Sequence, residues 1–185
     1  MLAHGRGRRP EESGAPIEDP EQLARAVVLR RLSAAPRTRK ELADDLGRRG
    51  VPEDVIGAVL DRFTEVGLID DAEYARLWVG SRHRSRGTAR ASLRHELRAK
   101  GIDDDEAAEA LDTIDDETER ERGAELVRSK LSATSRLEPQ ARVRRLMSLL
   151  IRRGYRSSTA LSIVKEVIAH DDWNSAGLSD VDETP

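Results

Sequence analysis

Arginine carries whatever chemistry this sequence can do. Arg90, Arg94 and Arg98 recur at every fourth residue, a spacing that sets them along one side of an α-helix. Arg82, Arg84 and Arg86 lie just upstream, across Gly87. A second group, Arg142, Arg145 and Arg152, follows later in the chain with Arg144, Arg153 and Arg156 beside it. A guanidinium is permanently charged and presents five N–H donors in a planar fork, which matches a carboxylate or a phosphate. Both groups are therefore read as contacts for a protein partner or a nucleic acid.

The distribution of charge sharpens that reading. Residues 82–100 carry seven Arg or Lys against the single acid Glu96, and residues 136–156 carry seven Arg against Glu138. Between them, residues 103–121 hold eleven acids against Arg120. The plainer alternative is a solvated helix face in an Arg-rich chain, since only four of the 32 basic residues are Lys. A merely solvated face mixes signs within each helix, however. Here the acids have moved to the next helix, which favours a binding surface.

Other chemistry is missing. His4, His83, His95 and His170 are too far apart for a local zinc motif and read as surface polar residues. No GxxxxGK[ST] loop is present, and the GRG at 5–7 precedes no strand. Asp103, Asp104 and Asp105 lack the spacing and glycine of an EF-hand; they read as the cap of a helix, favourable at its N-terminal dipole. No nucleophile comes with a base and an orienting group. No catalytic, cofactor-binding or metal-binding residue is expected, and the chain is not expected to be an enzyme.

Composition sets the class. Charged residues make up 36% of the 185 and aromatics only 3%, with a net charge of −3. So few aromatics argue against folds that stack bases on rings. There is no cysteine, which fits a reducing compartment. No apolar run approaches the roughly 20 residues a membrane span needs, and MLAHGRGRRP has no apolar stretch behind its arginines. A soluble, cytoplasmic monomer without membrane contact is expected.

The positioning elements are repeated. KELADDLGRRGV (40–51) aligns with ASLRHELRAKGI (91–102) and RLMSLLIRRGY (145–155). Leu42 matches Leu93 and Leu146; Leu46 matches Leu97 and Leu150; Gly50 matches Gly101 and Gly154. Each copy reads as the second of three helices, ended by a glycine in the left-handed conformation. In the first unit Glu21–Leu32 has helical periodicity, Thr38 with Glu41 forms a capping box, and Pro52 suits the first turn of a third helix. The second unit runs from Asp71 through Trp78, then Ala89–Lys100, then Asp103–Ile114. The third runs from Thr118 through Leu131, then Pro139–Arg153, then Ser157–Ala169. The expected fold is all-α: an elongated array of three tandem three-helix repeats at 20–70, 71–116 and 117–170. Disordered tails are expected at 1–19 and 171–185.

RTRKELADDLG followed by VLDRFTEVGLI also allows a helix-turn-helix regulator that reads one DNA sequence. GRRGVPED is longer than the tight turn of that motif, and Glu53, Asp54, Asp61 and Glu65 on its second helix would repel phosphates.

Along these same residues the sequence resembles the RecX regulatory family. The resemblance runs over about residues 21–169 and rests on Gly67-Leu68-Ile69-Asp70-Asp71, Tyr74-Ala75, Arg82, Gly87, Arg90, Glu96-Leu97 and Lys100-Gly101-Ile102. It is specific through the first two units and ordinary in the third. Trp78 stands where the family more often has Phe. The resemblance implies tandem three-helix repeats and a regulator of the RecA recombinase in DNA repair, recombination and the SOS response. Such a regulator docks in the groove of the RecA–single-stranded DNA filament. It alters, and mainly inhibits, the recombinase, ATPase and coprotease activities.

Overall fold

Five of the helices begin on a residue whose side chain accepts a first-turn N–H. The structure, a computed structural model, describes residues 19–179, with side chains through Asp172. Asp19 accepts the Gln22 N–H and opens α1 (Pro20–Ala34), with Pro20 in the first turn, where its missing N–H costs nothing. The Thr38–Glu41 capping box opens α2 (Arg39–Gly47), and α3 (Glu53–Glu65) follows Pro52. Asp70 caps α4 (Asp71–Arg86), which ends on Gly87 at φ 61. Then come α5 (Arg90–Ala99) and α6 (Asp104–Leu111). The third unit holds α7 (Asp116–Arg128), the four-residue α8 (Leu131–Thr134), α9 (Pro139–Ile151) and α10 (Ser157–Ser179). No strand occurs among the described residues.

The three aligned glycines share one conformation. Gly50, Gly101 and Gly154 have φ of 78, 79 and 90. The residue after each sends its N–H back to the last buried leucine of the helix: Val51 to Leu46 O, Ile102 to Leu97 O, Tyr155 to Leu150 O. These are the backbone bonds of a helix ended by a left-handed residue.

The core is divided in three. Val28, Leu42, Leu46 and Leu60 are buried in the first unit; Val79, Leu93, Leu97 and Leu111 in the second; Val127, Leu146, Leu150 and Ile163 in the third. Each such side chain contributes about 1.5–3 kcal/mol when fully buried. Every broad helix–helix face lies within one unit.

Units meet at helix ends, and both junctions use the same device. At the first, the Thr38 hydroxyl donates to Lys100 O at 2.8 Å while the Arg39 N–H donates to Asp71 Oδ1 at 2.9 Å. At the second, the Ala89 N–H donates to Arg153 O at 2.8 Å while the Arg90 N–H donates to Glu119 Oε1 at 2.6 Å. The N-terminus of one unit's second helix is thus capped by the next unit. An acid of the following first helix takes one N–H, and the terminal carbonyl of the following second helix takes the N-cap residue's donor. α5 has no side-chain cap of its own, and Glu119 supplies the missing acceptor. The junction also explains two glycines: a Cβ on Gly101 would stand 2.5 Å from Lys40 Cβ, and one on Gly154 would stand 2.5 Å from Ser92 Cβ.

The structure departs from the sequence reading in three places. The run expected from Thr118 through Leu131 is split, because α7 ends at Arg128 and Thr134 Oγ1 bonds back to Lys130 and Leu131 carbonyls to close α8. The last helix continues past Ala169 to Ser179, so helix extends into the segment expected to be disordered. His83, expected on the surface, is buried: its Nδ1 lies 3.1 Å from Thr88 O, and its Nε2 is buried without a hydrogen-bond partner. Residues 1–18 and 180–185 of the expected tails, and His4, lie outside the described residues.

Candidate polyanion-binding surface

The arginines singled out by spacing fall into two physical groups. Arg82 and Arg142 are held by the fold. The Arg82 guanidinium lies 4.2 Å from the Trp78 ring centroid and 3.5 Å from Glu96. Trp78 Nε1 donates to that same carboxylate at 2.8 Å, and Lys100 Nζ is also 4.2 Å from the Trp78 ring. Cations over an indole face are attracted by its quadrupole, so Trp78 organises both. Lys100 in turn donates to Glu41 at 2.6 Å, tying the second unit to the first. Burial pulls the Lys100 ammonium downward, but the hydrogen bond to Glu41 and the neighbouring Tyr74 outweigh this and leave it raised. Arg142 has a side chain 14% exposed and pairs with Asp171 at 2.9 Å and Asp172 at 3.7 Å, locking α9 to α10.

Arg90 and Arg98 are paired at the surface. Arg90 reaches Asp116 and, at 3.7 Å, Glu119. Arg98 makes a two-pronged contact with Asp104, Nε to Oδ1 at 2.9 Å and Nη2 to Oδ2 at 3.0 Å. That hydrogen bond holds the Asp104 carboxyl below its ordinary range and raises the guanidinium. Arg94 is the one of the three stripe arginines that makes no ion pair among the described residues.

Arg84, Arg86, Arg94, Arg145 and Arg152 are exposed and make no ion pair among the described residues. Arg84 folds back along its helix where Gly80 leaves space, since a Cβ there would stand 2.9 Å from Arg84 Nη1. Arg84 and Arg86 end α4, Arg94 lies on α5, and Arg145 and Arg152 belong to α9 and its cap. The Ala89–Arg153 bond brings the start of α5 against the end of α9, so the basic segments of units two and three adjoin at one junction. The resulting surface can exchange ions with phosphates or carboxylates. It holds no assembled nucleophile and base. Among the described residues no group of three or more His, Asp or Glu is placed to hold a metal ion, and no helix is long and apolar enough to cross a membrane.

Spacing alone missed the residues that build the junctions. In the sequence Asp71 reads only as the start of the second unit, Glu119 as one of the acids of 103–121, and Lys100 as one of the bases of 82–100. The available signal was a second helix in unit two without a capping side chain, which calls for an acceptor from elsewhere.

The comparisons agree with this architecture. Residues 24–63 match the family model for the first three-helix domain of RecX, and residues 70–111 the model for the second. The regulatory protein RecX of Thermobifida fusca is 49% identical over 89% of this chain and 88% of its own length. That of Streptomyces lividans is 43% identical over 91% and 90%. A crystal structure of RecX from Lactobacillus salivarius has a TM-score of 0.74 at 25% identity, covering 83% of this chain and 99% of that one. Similarity of this extent, carried on a shared all-helical repeat architecture, shows that the chain belongs to the RecX regulatory protein family.

Proposed function

We propose that this protein binds the RecA–single-stranded DNA filament and restrains RecA's recombinase, ATPase and coprotease activities, acting in the cytoplasm in DNA repair, recombination and the SOS response. It does so by binding alone, without catalysis of its own. Family membership supports the regulatory role. The observation that carries the binding mode is the set of exposed arginines on two successive units that make no ion pair among the described residues. A filament of protein and DNA offers both phosphates and carboxylates, the two groups a guanidinium fork recognises. An insert that touches neighbouring protomers gains energy only in one arrangement of them, and so biases the filament toward that arrangement.

Co-sedimentation with RecA filaments, compared with bare single-stranded and double-stranded DNA, tests this reading. Preferential, salt-sensitive pelleting with the filament is expected. Tight binding to one duplex sequence with no preference for the filament would favour a sequence-specific DNA regulator instead.

A further inference from the structure

We infer that the Arg90–Arg94–Arg98 stripe is a phosphate-binding strip that the chain screens with its own carboxylates, Asp116 at one end and Asp104 at the other. The inference rests on the polyanion reading above and adds its regulation.

The first support is geometric. Arg98 grips Asp104 through two parallel bonds, Nε to Oδ1 at 2.9 Å and Nη2 to Oδ2 at 3.0 Å. This is the fork arrangement a phosphate would take. At the opposite end of α5, Arg90 pairs with Asp116 through Nη2 alone, while its Nε faces Glu119 at 3.7 Å. Arg94 lies between them, one helical turn from each, and makes no ion pair among the described residues.

The second support is that neither acid is the residue that caps its helix. Asp104 and Asp116 are the first residues of α6 and α7, one position past the one whose side chain caps a helix. Both helices are already capped by the preceding residue: Asp103 accepts the Asp105 N–H at 2.9 Å, and Asp115 accepts the Thr118 N–H at 2.7 Å. Two separate helices thus spend their next acid on an arginine of α5. The pairs are also exposed. The side chains of Asp116 and Asp104 are 90% and 67% accessible, so each can be exchanged for a competing anion without opening the core. The junction survives that exchange, because the Arg90 backbone N–H is held separately by Glu119, whose side chain is only 16% accessible.

A ligand must therefore displace two carboxylates to engage all three arginines, which span about 12 Å at 1.5 Å per residue. A single acidic side chain cannot do this. A nucleic-acid backbone, with phosphates in a line, can. The strip rejects isolated anions and opens to a polyphosphate.

The test measures binding of the full chain to a fluorescently labelled oligothymidylate at low salt. Asp104→Asn and Asp116→Asn should each tighten binding several-fold. Asp105→Asn and Glu117→Gln remove the same charge from the same two helix starts but from acids without an arginine partner, and should tighten it distinctly less. The gain from Asp104→Asn should vanish when Arg98→Gln is also present, as a coupled pair requires; this pair lies within one unit, away from the junction. Equal gains in all four variants, or a gain that persists without Arg98, would show only a general effect of net charge and overturn the screening. Failure of the wild type to bind either oligothymidylate or the RecA filament would remove the polyanion reading itself.

Discussion

The Thr38 hydroxyl donates to the carbonyl of Lys100, 62 residues further on, and that bond at 2.8 Å joins two repeats whose hydrophobic cores are separate. The same oxygen accepts the Glu41 N–H at 3.2 Å, so one buried hydroxyl both caps its own helix and seats it on the next unit.

Replacing Thr38 with Val keeps the shape and removes both bonds. Burying the Glu41 N–H and the Lys100 carbonyl without partners should cost about 1–3 kcal/mol each where no water reaches them. A thermal melt should show a clear loss for Thr38→Val and near wild-type behaviour for Thr38→Ser. Equal melting of all three would mean that the seat contributes nothing.

Gly50 and Gly101 separate two costs that are usually mixed. Their φ values are 78 and 79, but a Cβ on Gly50 meets nothing within 4 Å, whereas one on Gly101 meets Lys40 at 2.5 Å. Gly50→Ala should lose roughly 1–2 kcal/mol for left-handed backbone alone. Gly101→Ala should lose more, because the junction must also shift. The measurement is chemical denaturation of both variants, and an equal loss would contradict the interlocked junction.

The fold was legible because its signals are local. Leu42, Leu93 and Leu146 repeat with their glycines, and apolar periodicity with Thr38, Pro52 and Asp103 marks helix starts. What spacing could not convey is partnership across units. Arg90 and Arg94 look alike in the sequence, yet Arg90 meets Asp116 and Glu119 of the next unit and Arg94 meets no acid at ion-pair distance among the described residues. His83 was misplaced for a similar reason: a single polar residue on α4 gives no sign that the Gly87 turn folds the Thr88 carbonyl onto it. The arginine stripe was found; which of its members are already engaged depends on tertiary contacts.

Arg90 is consequently a poor site for a charge reversal meant to spare the fold. Arg90→Glu would set a carboxylate against Asp116 and Glu119 and should lower the melting temperature, whereas Arg94→Glu should change stability by no more than about 0.5 kcal/mol. Matching melts of the two variants would show that Asp116 and Glu119 do not engage the Arg90 side chain in solution.

Acid should weaken the first unit through Asp45. Its hydrogen bond from Arg31 holds the carboxyl at about 2, below its ordinary 3.8, with burial opposing and Arg49 and Arg48 assisting. A carboxyl depressed in the folded state adds stability that is complete above 3.8 and is lost as pH falls through about 2. Asp45→Asn should therefore be less stable at neutral pH and show a shallower decline across that window in pH-dependent denaturation. An unchanged acid limb would mean that the Arg31–Asp45 bond at 2.7 Å is not maintained in solution.

The central claim is that exposed, unpaired arginines of units two and three hold the protein on a RecA filament, and co-sedimentation of a triple variant tests it most directly. Arg94, Arg145 and Arg152 make no ion pair among the described residues, so changing all three to Glu should leave helicity and melting close to wild type. The change reverses six units of charge on the proposed surface. Pelleting with RecA–single-stranded DNA filaments should fall by at least about tenfold, and inhibition of RecA's ATPase should fall with it. A folded triple variant that pellets with the filament and inhibits the ATPase as the wild type does would contradict the account and place the interface elsewhere on the array.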